Sequence, residues 1–120
     1  MYKESIGEDA PTERELKRLK QAMSDGKISF YGAFCDDSLV GCCSVCLAFS
    51  TFDYATSGVF EDFYVHPQYR RRGIGRALVD FAYTESGVST MTVGCADCDV
   101  EMYKAFGFDV PIGNMLAMKK

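Results

Sequence analysis

Apolar positions along the chain fall into two periods, and the switches between them mark the elements. Leu16, Leu19 and Met23 recur at helical spacing behind Thr12-x-x-Glu15. In that pairing a hydroxyl and a carboxylate satisfy each other's orphan backbone amides, so the pattern predicts a helix over 12–23, ended by Asp25-Gly26. Its outer face is charged, as on a surface helix. Two strand-like runs follow, 28–34 and 39–49, around Cys35-Asp36-Asp37-Ser38, a hairpin turn by composition. The second run is apolar almost throughout, the pattern of a central strand covered on both faces. A loop over 51–57 leads to an aromatic and β-branched run over 59–65. There His66-Pro67-Gln68 breaks the strand, because Pro67 has no N–H to give a ladder. Ile74, Ala77, Leu78, Phe81 and Ala82 then lie on one face of a helix that Ser86-Gly87 closes. Residues 89–93 read as a strand. A short helix, capped by Asp97 or Asp99, runs through Phe106 to Gly107, and 108–110 and 114–118 read as two short strands. Residues 1–10 carry no periodicity and read as an extended lead-in.

This order predicts an α/β fold, a mixed sheet with helices on both faces. At 120 residues a single domain over 1–120 is expected, with no repeats, linkers or low-complexity tracts. Ligands of such sheets sit at the carboxyl ends of strands, where a glycine-rich turn meets a helix. Arg70-Arg71-Arg72-Gly73-Ile74-Gly75-Arg76 is such a turn. Backbone N–H groups are unpaired at a helix start, the macrodipole is positive there, and glycine lets an anion approach the backbone.

Charge sharpens that reading. A net charge of −4 argues against non-specific nucleic-acid binding, so the arginines of 70–76 are a point feature for an anionic ligand. The acidic remainder favours a cationic substrate. No apolar run approaches the roughly 18 residues that span a bilayer, and no signal-peptide pattern opens the chain, so no membrane partner and a cytoplasmic location are expected. Among the six cysteines, Cys43-x-x-Cys46 and Cys95-x-x-Cys98 resemble half-sites for zinc. However, Cys43 and Cys46 lie three apart in one strand and so point to opposite faces, which predicts reduced thiols and no metal. A redox or metal role for Cys95 and Cys98, beside the expected cleft, stays open.

The anion itself can be narrowed. A nucleotide-triphosphate loop needs Gly-Lys-Ser/Thr, and here Gly75 precedes Arg76-Ala77. A dinucleotide loop needs a third glycine where Leu78 stands. What remains is a pyrophosphate held by backbone N–H groups with arginine counter-charges. Arg70-x-x-Gly73-x-Gly75, after a strand ending in Tyr64-Val65, resembles the acyl-CoA signature of the GNAT superfamily of N-acetyltransferases. Met102-Tyr103-Lys104-Ala105-Phe106-Gly107-Phe108 resembles that family's tyrosine-bearing helix and the Gly-Phe that follows it. The two together cover roughly residues 28–120.

The resemblance implies the GNAT-like acyl-CoA N-acyltransferase fold, without the family's usual first strand and helix. Either that wall is missing, or residues 1–10 or a partner chain, as in a homodimer, replace it. It also implies acetyl-CoA as the acetyl donor. Phe63, Tyr64 and Val65 would bind the pantetheine arm and thioester oxygen. The turn (Arg70, Arg71, Arg72, Gly73, Ile74, Gly75 and Arg76) would hold the pyrophosphate, and Tyr103 would be the general acid toward sulfur. Ala96 stands where the family often has asparagine. Glu61-Asp62-Phe63-Tyr64-Val65 resembles the corresponding stretch of diamine acetyltransferases, which makes Glu61 the candidate base, with Asp62 or water as alternatives. Neighbours on a strand face opposite ways, so only one of the two carboxylates is expected to face the cleft. His66, the only histidine, reads as a turn residue. The leading expectation is transfer of acetyl to a primary amine of a small molecule, a diamine or polyamine. Alternatives are a protein lysine or N-terminal amine, a catalytically silent acyl-CoA-binding module, and a non-CoA phosphate binder. Tyr103 favours the enzyme, since binding CoA alone needs no phenol beside the sulfur.

Overall fold

The computed structural model describes residues 9–120; residues 1–8, most of the expected lead-in, lie outside the described residues. Helix α1 (Glu13–Ser24) starts at the capping box, where Glu15 N donates to Thr12 Oγ1 at 3.2 Å and Thr12 N donates back to the Glu15 carboxylate at 3.1 Å. Strands β1 (Ile28–Cys35) and β2 (Ser38–Ser50) form an antiparallel hairpin. Its two-residue turn, Asp36-Asp37, has both φ values positive, the backbone twist that two-residue hairpins require. Strand β3 (Ala55–Val65) is antiparallel to β2, and β4 (Met91–Val93) is parallel to β3, giving a mixed sheet of order β1-β2-β3-β4. Helix α2 (Ile74–Ser86) crosses between β3 and β4, and α3 (Val100–Ala105) follows β4. No helix among the described residues is long and apolar enough to cross a membrane.

The core lies between the sheet and α2. Cys43, Val45, Phe60 and Val65 meet Leu78, Val79 and Ala82 of the helix and Val88 beyond it. The predicted helix is present, but its buried stripe is Leu78, Val79 and Ala82, while Phe81 stays 55% exposed and touches Tyr31 edge-on at 5.8 Å. Cys43 is in this core and Cys46 faces the other side of the sheet, as strand alternation requires.

The expected strands over 108–110 and 114–118 are not present, and residues 108–120 form no helix or strand. A strand needs a partner, and β4 is only three residues long, paired to Gly58, Val59 and Phe60 of β3. Alternation in the tail therefore finds no ladder, and Val110, Ile112, Met115, Leu116 and Met118 remain exposed. Phe108 alone joins the core, its ring 5.6 Å from that of Phe60.

Close approach at Gly58 permits the packing of β3 under the helix layer. A Cβ there would lie 2.5 Å from Val45 Cγ1 and 3.1 Å from Val88 Cγ1. Gly58→Ala is therefore expected to destabilise the fold by roughly 1–3 kcal/mol, seen as a lower urea midpoint with unchanged slope. An unchanged midpoint would show that the two valines step aside freely.

Candidate active site

Register between β2 and β3 is interrupted. Ser44 pairs with Glu61 but Cys42 pairs with Tyr64, so β3 advances three residues where β2 advances two. The extra residue takes a left-handed backbone at Asp62, with φ of 55°. Such a bulge re-aims side chains. Ser44 Oγ donates to Asp62 Oδ2 at 2.6 Å, and Cys46 Sγ donates to Glu61 Oε1 at 2.9 Å. Ser44 and Cys46 are two apart on β2 and share a face, so Glu61 and Asp62 both lie on the face away from α2. The expectation that only one carboxylate faces that way is corrected, because the bulge cancels the alternation on which it rested.

Ser44 and Cys46 were not among the expected site residues. The signal in the sequence was slight: Ser44 is the one hydroxyl in the apolar run 39–49. Burial pushes the Cys46 thiol up to about 12, helped by its hydrogen bond to Glu61 and by the Glu61 and Asp62 charges. Cys43 is pushed to about 12 as well, chiefly by burial.

Beyond the bulge β3 parts from β4. Their parallel ladder covers only Gly58 to Phe60, and β4 ends at Val93. Residues 61–65 thus have β2 on one edge and no strand on the other among the described residues. Phe63, Tyr64 and Val65 line that open edge. Its unladdered backbone groups can bind an extended, amide-bearing ligand as a strand would. Phe63 turns its ring to the core side, and Tyr64 lies beneath Arg70, whose Cζ is 5.5 Å from the ring centroid.

At the end of β3, His66 caps a turn of 3₁₀ helix (Pro67–Tyr69), its Nδ1 accepting from Gln68 N at 3.3 Å; it is the exposed turn residue expected. Arg71 and Gly73 are left-handed, with φ of 62° and 82°, and α2 begins at Ile74 with no side chain capping it. Ala77 N to Gly73 O, at 3.0 Å, is the first helical bond here, which leaves the N–H groups before Ala77 facing outward. The arginines divide. Arg70 Nε donates to Val65 O at 2.8 Å, Arg72 lies over the Tyr69 ring at 5.2 Å, and Arg76 donates to Ala105 O at 2.8 Å and pairs with Asp80 at 3.7 Å. Among the described residues Arg70, Arg71 and Arg72 form no ion pair with a carboxylate. The glycines divide too. Gly73 is required by its left-handed backbone and its missing side chain faces open space. A Cβ on Gly75 would lie 3.0 Å from Phe63 Cζ and 3.1 Å from Phe106 Cζ. Gly75 therefore lets the helix start seat on aromatic rings.

Tyr103 of α3 completes that aromatic group. Its half-buried ring lies 6.5 Å from Phe60, 6.1 Å from Phe63, 6.2 Å from Phe106 and 5.8 Å from Phe108. The structure thus joins the turn, the open edge and Tyr103 through Phe63 and Phe106. Glu61 and Asp62 reach the same stretch of β3 from its other face. Ala96, Cys95 and Cys98 are exposed in the segment between β4 and α3.

Residues 26–110 match a family model described as an acetyltransferase (GNAT) domain. No curated protein sequence matches the chain. Solved structures with the same fold include an acetyltransferase from Trypanosoma brucei, 20% identical, covering 98% of this chain and 87% of that one at a TM-score of 0.76. An aminoglycoside acetyltransferase from an uncultured soil metagenomic sample, in complex with sisomicin, is 14% identical and covers 99% of this chain and 82% of its own at 0.80. A predicted acetyltransferase from Clostridium acetobutylicum, solved with acetyl-CoA, is 12% identical over 98% of this chain and 84% of its own at 0.77.

The raised thiols carry a sign. Cys43 and Cys46 go from an ordinary 9.0 to about 12, so their contribution to stability is complete below pH 9 and is lost as pH climbs toward 12. Urea midpoints are expected to fall across that window. Thiol labelling of the native protein should reach exposed Cys95 and Cys98 first. Glu61→Gln should speed labelling of Cys46 and leave Cys43 slow, because only Cys46 loses the adjacent negative charge that holds its proton in place.

Proposed function

The chain belongs to the acetyltransferase (GNAT) family, and on that footing we propose that it moves the acetyl group of acetyl-CoA directly onto a primary amine of a small molecule in the cytoplasm. A diamine or polyamine is the favoured acceptor. The observation that carries this reading is the parting of β3 from β4 beyond Phe60, which continues into the uncapped start of α2 at Gly73. An open strand edge accepts the amides of a pantetheine arm, and an uncapped helix start flanked by arginines accepts a pyrophosphate. The residues present fit the donor. Phe63, Tyr64 and Val65 would hold the arm, and the N–H groups over 71–76 would hold the pyrophosphate. Arg71 and Arg72, which have no carboxylate partner among the described residues, would supply counter-charge, and Arg70 and Arg76 would brace the turn.

Acetyl-CoA supplies a thioester whose carbonyl is open to an amine. The chain's own work is to bring a neutral amine to it and to handle two protons. Glu61 and Asp62 face one side of β3, where they attract the acceptor's ammonium group and take its proton. Tyr103 lies on the other side and gives a proton to the departing sulfur. Proton removal and proton delivery are thus assigned to opposite faces of one strand, with the reacting carbonyl at the open edge between them. Two carboxylates on one face also suit an acceptor with more than one positive charge.

Release of the CoA thiol from acetyl-CoA, measured against a panel of mono-, di- and polyamines, tests the reading. Tyr103→Phe is expected to lower kcat by about 100-fold or more with acetyl-CoA affinity and fold retained, since the ring contacts survive. Tight acetyl-CoA binding without turnover on any amine would instead leave an acyl-CoA-binding module. No binding of acetyl-CoA would overturn the reading altogether.

A further inference from the structure

Among the described residues Ser44 is the one buried polar residue, at 0% exposure between Cys43 and Val45 in an inner strand of the sheet. A hydroxyl at such a place must be paired, and most buried serines pair with backbone. Ser44 pairs with a side chain instead, the Asp62 carboxylate, at 2.6 Å. Asp62 is the bulge residue, with a left-handed backbone, a conformation that aspartate tolerates better than most and that clusters at functional positions. One carboxylate oxygen is occupied by Ser44, and no hydrogen bond is made to the other among the described residues. Glu61, on the same face, is exposed and its donor is a thiol, a weak one. Of the two carboxylates, Asp62 has its position set by a short, part-buried bond to a buried hydroxyl.

From this we propose that Ser44 is a positioning residue, holding Asp62 in the bulge as the carboxylate that meets the acceptor's ammonium group. The proposal rests on the acetyl-transfer reading above and adds to it which of the two carboxylates is fixed and what fixes it. Ser44 touches neither donor nor acceptor. Its effect passes through Asp62, so it belongs to the amine side of the reaction and leaves the acetyl-CoA side unchanged.

A double-mutant cycle of Ser44→Ala and Asp62→Asn tests this, with kcat and KM for each substrate, calorimetric binding of 1,4-diaminobutane, and thermal midpoints. A hydrogen bond to a charged group predicts that Ser44→Ala lowers kcat/KM for the amine by about tenfold or more, with KM for acetyl-CoA unchanged. In the Asp62→Asn background the same change should cost almost nothing, because the group it acts through is already altered. Equal losses in both backgrounds, or a loss confined to acetyl-CoA, would overturn the proposal while leaving acetyl transfer standing. If the wild type binds 1,4-diaminobutane without acetylating any amine, weaker binding by Ser44→Ala but not by Ser44→Ala added to Asp62→Asn supports the positioning role and sinks the enzyme reading. A wild type that neither binds nor acetylates any amine overturns both.

Discussion

Between Ser44 and Cys42 the second strand moves two residues while the third moves three, and the described molecule is arranged around that mismatch. An extra residue in one strand reverses the facing of everything after it and bends the strand. Before the bulge Phe60 points to the core; after it Phe63 and Val65 do so as well, so three apolar side chains of β3 pack under α2 and α3. The residues between them, Glu61 and Asp62, are turned together to the opposite face, against Ser44 and Cys46. Beyond the same point β3 has left β4, which opens the edge along 61–65. One inserted residue thus sets the phase of the core, the facing of the carboxylates and the length of the slot.

Phe63 carries that phase to the rest of the site. Its ring meets Tyr103 at 6.1 Å and Phe106 at 5.8 Å, and it lies under Gly75 at the first turn of α2. Aromatic contacts of this kind contribute about 0.5–1.5 kcal/mol each beyond their buried area. The exposed pairs Arg76–Asp80 and Lys104–Glu101, at 3.7 Å each, contribute about 0.3–0.5 kcal/mol at most. The anion turn and the tyrosine helix are therefore held to the strand by rings, with the bond from Arg76 to Ala105 O adding direction. A glycine at 75 is what makes this contact close enough.

Legibility in the sequence followed how local each cause is. The capping box at Thr12 and Glu15, the glycine-ended helix over 74–86, and the basic glycine turn are set by residues a few places apart, and each formed where the pattern placed it. The bulge is different. It is a count between two strands, and nothing within 59–65 records it except a small polar residue at 62 that tolerates a left-handed backbone. The pairing of Ser44 with Asp62 was hidden for the same reason. Strands over 108–118 failed for a related one: alternation shows that a segment can pair, but pairing requires an edge long enough to accept it, and three residues of β4 do not provide one. Alternation did place Cys43 and Cys46 correctly, since no extra residue lies between them.

Opposite charges close together in a chain would ordinarily collapse onto each other, and here they do not. Glu61 and Asp62 stand within eleven residues of Arg70, Arg71 and Arg72, yet no ion pair joins the two sets among the described residues. Each side is held by something else. Arg70 is drawn to the Val65 carbonyl and the Tyr64 ring, and Arg72 to the Tyr69 ring. The carboxylates are tied back to Ser44 and Cys46. Neutral partners fix the geometry of the charged groups without cancelling their charge, so the positive turn and the negative face both keep their field. An anionic ligand at one end and a cationic one at the other can then be drawn to the same strand from two directions, and that separation is a property of the rings, hydroxyl and thiol as much as of the charges themselves.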